Sequence, residues 1–518
     1  MADRKIPEIP ADLPEDWVYG QTVAPEGAEV GLSEQHGYNY LMKKVNECAR
    51  TINEIYREMG QLTPEDMVKL AGGGEMFLHG DFDAAPHTID VEEDWPAAGT
   101  RFVVGSSASG HTSYECDYLC DGTADEDVIG QALDALVKLG GGELLFLPGM
   151  YHLNEEIAIA GTGPEIITLR GMGRPIAPPL DMELPTALIG PSAIECTGCS
   201  LHVYDLGFQN VCLSVTDGSI DYSRTLLVKR CAFAVNGHVL NKEHTSVVDG
   251  YAWLTEVSDC VFNATSGPEE KSISFISGHG MFSTICGNYI LANSVRDLWN
   301  STGISCNSAN GTTYIRGNTI DSCTTAISAV GAILFACGNI INNAENGINC
   351  GNFSGSVVIA NNLSGIEKNG ILGAQKVIGN AVSCAGYISD AEGIRSEAFS
   401  DTTVTNNFVF GFPIGIHLDS TSDEKDTKIG STLSGNSIYE CATGILLKDN
   451  IRILTGGVQQ PLYSNHSLVL GNRILDSTAA SIQIESRHGK CLISQNICPD
   501  APIVDQGTGN ALAGNITT

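Results

Sequence analysis

Four residues carry the densest chemistry in the chain: Arg395 and Glu397 in "GIRSEAF", and His417 and Asp419 in "GIHLDS". Each pair stands first and third after the Ile of a Gly-Ile step. Two carboxylates on neighbouring strands can serve as acid and base on a glycosidic bond, retaining at about 5 Å and inverting when wider apart. Crowding also raises the pKa of one of them, which a general acid needs. Lys448 in "GILLKD" and Glu485 in "SIQIES" hold the matching third position in two later stretches, and Arg487 and His488 follow one turn on. Glu397 and Asp419 are thus the candidate acid/base pair. Arg395, His417, Lys448, Glu485, Arg487 and His488 are the candidate substrate-binding residues. The same set also suits, and more simply, a solvated outer face with modest ion pairs.

These residues can meet only if a repeat stacks them. "GNTIDSCTTAI", "GNIINNAENGI", "NNLSGIEKNGI", "NNFVFGFPIGI" and "GNSIYECATGI" each place Asn second and end on a small residue followed by Ile. The marker asparagines are Asn288, Asn318, Asn339, Asn362, Asn380, Asn407, Asn436, Asn472, Asn496 and Asn515, 18 to 36 residues apart. Such intervals fit one solenoid coil each, with the variation in loops. Stacked coils put like residues about 4.8 Å apart. Asn at such a place is expected to take the left-handed turn and bond the Asn of the next coil. The small residue before Ile is expected to let the chain turn. Upstream, Leu206, Cys231 and Cys260 continue the rhythm, and Cys231, Cys260 and Cys286 read as an interior column.

Alignment on the Gly-Ile step sends Ile394, Ile416, Ile445 and Ile482 inward. The first and third residues after each then face outward. First positions read Ser305, Ser328, Asn349, Leu372, Arg395, His417, Leu446 and Gln483; charge is confined to the later coils. The insertions "STSDEKDTKIGS" and "NIRILTGGVQQPLYSNHS" are placed to wall a groove there.

Other candidates are weaker. Cys196-Thr197-Gly198-Cys199 is a lone C-x-x-C, and a structural zinc site needs two more ligands, for which Cys116 and Cys120 are the nearest source. His244 and His279 are single histidines, and the loop Asp423-Glu424-Lys425-Asp426 lacks an EF-hand spacing. No phosphate loop, dinucleotide fingerprint or nucleophile elbow occurs, and no metal or cofactor is implied.

A net charge of -33 opposes binding to nucleic acid or an anionic membrane. With 17 Cys, an odd number, the chain does not read as a disulfide framework. No secretory h-region opens the sequence and no apolar run is long enough to span a bilayer, so cytosolic synthesis without membrane insertion is expected.

Residues 1–31 read as an extended arm. Over 32–74, Tyr38, Leu41, Val45, Cys48, Ile52, Ile55, Met59 and Leu62 form an a/d heptad seam, capped by Ser33 and ended by a Gly hinge. A strict two-in-seven seam favours self-association over packing on its own domain, without deciding dimer against trimer. Residues 75–115 read as a small linking region. Over 116–152, Thr123-Ala124-Asp125-Glu126 fits a capping box, and Val128, Ala132, Ala135 and Leu136 a helical stripe. Gly140–Gly142 breaks the helix before a short strand and a Pro148-Gly149 turn. Residues 153–518 hold the coils.

The segment Asp121-Gly122-Thr123, helix, Gly140–Gly142 and Pro148-Gly149-Met150-Tyr151 resembles the entry of the pectate-lyase-like family of right-handed parallel β-helices. The "HGYNYLMKKVN" helix is similar to leaders of prophage tail proteins. The resemblance implies an all-β, right-handed parallel β-helix with an N-terminal helical attachment segment, and a helix plugging its open end. It further implies a phage or prophage tail spike or tail fibre, located on the virion tail and commonly homotrimeric. Such a protein joins other tail or baseplate proteins by its N-terminus and contacts host surface polysaccharide. Two other readings stay open: a depolymerase cleaving capsule or wall glycan at Glu397 and Asp419, and a free bacterial pectinase-like enzyme. Since "GNITT" at the end of the sequence is itself a marker, the extra C-terminal domain common among spikes is not expected here.

Overall fold

The structure, a computed structural model, describes residues 100–517 apart from 162, 164, 174–183, 217–223, 237–245, 267–271, 293–299, 307–310, 352–354, 387, 398–401, 423–429 and 455–458. The arm, the heptad helix, His244 and the acidic loop 423–426 lie outside these residues. What is described is a right-handed parallel β-helix. Most coils contribute one short strand to each of three parallel stacks, and one stack forms a 17-stranded sheet. The strand Thr100–Ser106, within the stretch read as a linker, pairs in parallel with Gly142–Phe146 and Tyr118–Cys120 and so belongs to the first coil.

The helix Glu126–Lys138 closes the entry end. Its buried face is Ile129, Ala132, Leu133 and Leu136, rotated from the expected stripe. These side chains join the same core as Leu144 and Phe146. Thr123 is not the cap. Asp125 precedes the helix, and its buried carboxylate accepts backbone N–H groups of Gly122 and His152, both at 2.8 Å, tying the entry turn to the first coil.

Inside, like stacks on like. Ile304, Ile327, Ile348, Ile371, Ile394, Ile416, Ile445 and Ile482 form one fully buried column in continuous register. Phe208, Phe233 and Phe262 stack nearly parallel, with centroids 4.8 and 4.7 Å apart. The asparagine ladder runs Asn288, Asn318, Asn339, Asn361, Asn380, Asn407, Asn436, Asn472, Asn496 and Asn515. In each step Oδ1 accepts both the backbone N–H and the Nδ2–H of the preceding Asn.

Three expectations change. The fourth rung of the ladder is Asn361, not Asn362, which lies exposed at the start of the next strand. The left-handed position is the residue before each Asn, such as Gly317 (φ +62) or Ala360 (φ +53), and not the Asn itself. The small residue before Ile makes no turn. A Cβ on Gly393 would meet Val409 Cγ1 at 2.5 Å and the Gly415 carbonyl at 2.6 Å, so the position faces the core, and at Gly393 no larger residue fits. Cys231 and Cys260 do extend the ladder column, with Cys260 N–H donating to Asn288 Oδ1 at 3.0 Å. Cys286 sits on the outer side, opposite Ser258 and Arg316.

Candidate functional site

Parallel register sets Arg395 opposite His417 and Glu397 opposite Asp419, between the strands Glu392–Glu397 and Ile414–Asp419. The next strand places Leu446 and Lys448 beside His417 and Asp419. Glu397 is placed here by its backbone alone.

The face is not open as expected. His417 is fully buried and Asp419 is 4% exposed. They close a ring with Arg395 and with Glu392, a residue the motif reading missed. His417 Nδ1 lies 2.8 Å from Glu392 Oε1, and its Nε2 lies 3.1 Å from Asp419 Oδ1. Arg395 donates from Nε to Asp419 Oδ2 at 2.9 Å, and its other end reaches Glu392 Oε2 at 3.6 Å. Two basic and two acidic side chains thus pair on adjacent coils, as buried charge requires, although Glu392 Oε2 is buried with only the 3.6 Å ion-pair contact to Arg395 and no hydrogen bond.

Electrostatics follow from this geometry. Burial alone would raise the Asp419 carboxyl, but the hydrogen bond and charge of His417, joined by Arg395, reverse that and hold it below the ordinary range. Burial alone would lower His417, but Asp419 and Glu392 reverse that and raise it. Asp419 is therefore kept ionised and is unsuited to the acid role. The Arg395 side chain, 40% exposed, is the part of the ring that meets solvent.

Glu392 escaped the motif because strand alternation counted back from Ile394 puts it inside. Gly393 and Ile394 both face the core, however, so the alternation breaks and Glu392 emerges on the side of Arg395. The usable signal was its column: Thr325, Asn346 and Asn369 precede it, and only Glu392 brings charge.

The remaining candidates form a neighbouring clamp. Glu485 accepts the Asp449 N–H at 2.7 Å, and Asp449 in turn accepts from Ser486 and from the Arg487 N–H. Arg487 donates to the Asn450 carbonyl at 2.8 Å. His488 is fully buried with Nε2 2.9 Å from the Lys448 carbonyl, and burial lowers its pKa. Lys448 itself is exposed. The clamp anchors the antiparallel hairpin Asn450–Ile453 with Gln459–Leu462, whose base is also tied by Ser420, donating to the Leu462 carbonyl at 2.9 Å and accepting from the Asn450 N–H at 2.8 Å. The insertion expected as a wall is this hairpin, rooted next to Asp419.

Cys196 and Cys199 are both buried, and the Cys196 thiol donates to the Cys199 carbonyl at 3.4 Å. His279 contacts Ser277 at 2.8 Å and Asp249 at 3.6 Å. Among the described residues, no group of three or more His, Cys, Asp or Glu side chains converges to hold a metal, and no helix is long and apolar enough to cross a membrane.

No family model matches the chain, and no curated protein does. Solved structures give remote likenesses. A tailspike mutant of E. coli bacteriophage HK620 is 12% identical over 76% of this chain and 75% of that one, with a TM-score of 0.39. The A-module of the mannuronan C-5 epimerase AlgE6 of Azotobacter vinelandii is 14% identical over 77% of this chain and 96% of that one, at 0.30. A polysaccharide lyase of family PL6 from Pseudopedobacter saltans is 14% identical over 75% of this chain and 91% of that one, at 0.33. Likenesses this remote leave activity to be argued from the residues themselves.

Proposed function

We propose that this chain is a β-helical spike or fibre protein that binds host surface polysaccharide through the outer face of the coils bearing Arg395, His417 and Asp419. The carrying observation is the closed ring at that face. One column changes from Ser305, Ser328, Asn349 and Leu372 to Arg395 and His417, and at these two residues a four-membered charge network forms beside an inserted hairpin. The ring fixes the Arg395 guanidinium at the surface as an oriented donor, and Lys448 adds a second cation one coil on. Donors locked by a supporting shell are what hydroxyl-rich ligands need. In this reading the heptad seam joins copies into a homotrimer and, with the arm, attaches them to a phage or prophage tail.

A second reading is depolymerisation, favoured by the register that pairs Glu397 with Asp419. Since Asp419 is held ionised, it takes the base or nucleophile role and Glu397 that of the acid. The test is binding and reducing-end release on a panel of host capsule and wall polysaccharides, with wild type, Glu397→Gln and Asp419→Asn. Binding without release is the expected result. Release abolished in Glu397→Gln, with fold and assembly intact, would instead establish the depolymerase. Absence of binding to every polysaccharide would sink the proposal.

A further inference from the structure

The outer face of a different strand stack, on the same coils, carries an arrangement that the ring does not explain. Phe408 opens the strand Phe408–Phe410, in register with Ser437 and then Arg473 on the next coils. Phe408 is 44% exposed, although it is a large apolar side chain on an outer sheet surface. Its ring lies 5.5 Å from that of Tyr439, and the Arg473 guanidinium sits over the Tyr439 ring at 5.9 Å. Three coils thus contribute a diagonal row of phenyl, phenol and guanidinium. Arg473 is exposed and makes no ion pair among the described residues, so its N–H donors remain available beyond the cation–π contact.

Two carboxylates rim the row. Glu440 and Asp476 follow Tyr439 and Leu475, which pair in register, and both take left-handed turn positions with φ +53 and +57. Both are exposed. The surface therefore offers flat apolar rings, an exposed donor and two acceptors within a few coils. That combination matches the pyranose ring, which has an apolar C–H face and a belt of hydroxyls that both donate and accept. Recognition sites commonly pair aromatic area with a few placed polar groups in this way. Charge selects the class. The rim carboxylates and the net charge of -33 repel uronate or phosphate sugars, whereas a neutral ring meets no such barrier.

We infer that Phe408, Tyr439 and Arg473, rimmed by Glu440 and Asp476, form a second subsite that takes a neutral hexose segment of a polysaccharide. The inference rests on the polysaccharide reading above and specifies a separate surface for it. A second copy of the chain laid on the same face is the competing occupant.

The full chain is titrated calorimetrically with maltoheptaose, cellohexaose and laminarihexaose as neutral probes, with oligogalacturonate as the acidic probe, and with the host polysaccharide panel. Phe408→Ala and Arg473→Gln are compared with wild type; both sites are exposed, and circular dichroism checks the fold. At least one neutral oligomer should bind, each variant should weaken it tenfold or more, and Arg473→Lys should restore part of the loss. Oligogalacturonate should bind less well than that neutral probe. Neutral binding that both variants leave unchanged would overturn the subsite while the polysaccharide reading stands. Preference for oligogalacturonate would overturn the neutral assignment. No binding to any oligomer or panel member would overturn both. A fall in sedimentation coefficient on Phe408→Ala, without a change in binding, would assign the face to self-contact instead.

Discussion

Glu392 and Asp419 lie on neighbouring coils and share one imidazole, with His417 Nδ1 at 2.8 Å from the first and Nε2 at 3.1 Å from the second. Only the imidazolium donates from both nitrogens, so the neutral ring must leave one carboxylate facing a lone pair. The coil is therefore built around a charged histidine.

This predicts an alkaline weakness. The folded pKa of His417 is raised, so its contribution to stability is fully present below the ordinary histidine value and is lost as pH climbs through the folded value. Thermal unfolding followed from pH 6 to 9 should show a falling midpoint in wild type. His417→Gln should start lower, by about 3–5 kcal/mol for breaking a buried pair, and should lose most of that slope. An unchanged slope in the variant would mean that the ring is not what titrates.

Substituting the ladder should separate two adjacent asparagines. Asn361 donates its N–H and an Nδ2–H to Asn380 Oδ1, both at 2.9 Å, and accepts two bonds from Asn339 at 2.9 and 2.8 Å. Asn361→Ala strands two buried donors on Asn339 and removes the Nδ2–H donor to Asn380 while keeping the backbone one, and should lower stability by about 3 kcal/mol or more at about 1–3 kcal/mol per orphaned group. Asn362→Ala, on the exposed side, should stay within about 0.5 kcal/mol. Urea unfolding of the two variants decides; equal losses would put the ladder in the wrong frame.

That frame shows what the sequence could carry. The coil repeat, the inward Ile column and the pairing of Arg395 with His417 are legible, because stacked strands force like positions together. In "NNLSG", however, two asparagines offer themselves, and only the left-handed residue before the ladder position, here Ala360 rather than a glycine, distinguishes them. Glu392 was hidden because alternation fails locally at Gly393 and Ile394, an event of packing rather than of pattern. The burial of His417 was not readable either: an outward position looks solvated until side chains of neighbouring coils fold over it.

Two kinds of glycine should respond differently to alanine. At Gly370 a Cβ would lie 2.3 Å from the Gly393 carbonyl oxygen and 2.4 Å from Val382 Cγ1, so neither backbone nor core can yield cheaply. At Gly379, with φ +64, a Cβ meets nothing within 4 Å, and only the left-handed backbone is penalised. Gly379→Ala should therefore lose about 1 kcal/mol and Gly370→Ala about 3 kcal/mol or more, as overpacking at the upper end does. Chemical denaturation of both checks the order, and a larger loss at Gly379 would contradict the inward placement of Gly370.

Acid should attack the fold from a different place. His202 is 3% exposed with Nε2 2.8 Å from Thr225 Oγ1, and burial, aided by Lys229, lowers its pKa to about 3. His488 is lowered as well, by burial that its bond to the Lys448 carbonyl only partly offsets. A histidine with a depressed folded pKa is stabilising above its unfolded value near 6.5 and loses that contribution as pH falls toward the folded value. Asp419 is lowered too, but its contribution begins to fade only below the ordinary aspartate range, near 4. The window from about pH 6.5 to 4 therefore belongs to the two buried histidines, at about 1.4 kcal/mol for each unit of separation. Unfolding midpoints should decline across that window in wild type, less in His202→Gln, and unchanged in slope in His417→Gln, whose effect lies on the alkaline side. If His202→Gln and His417→Gln flatten the same arm of the profile, the assignment of opposite shifts to these two histidines fails.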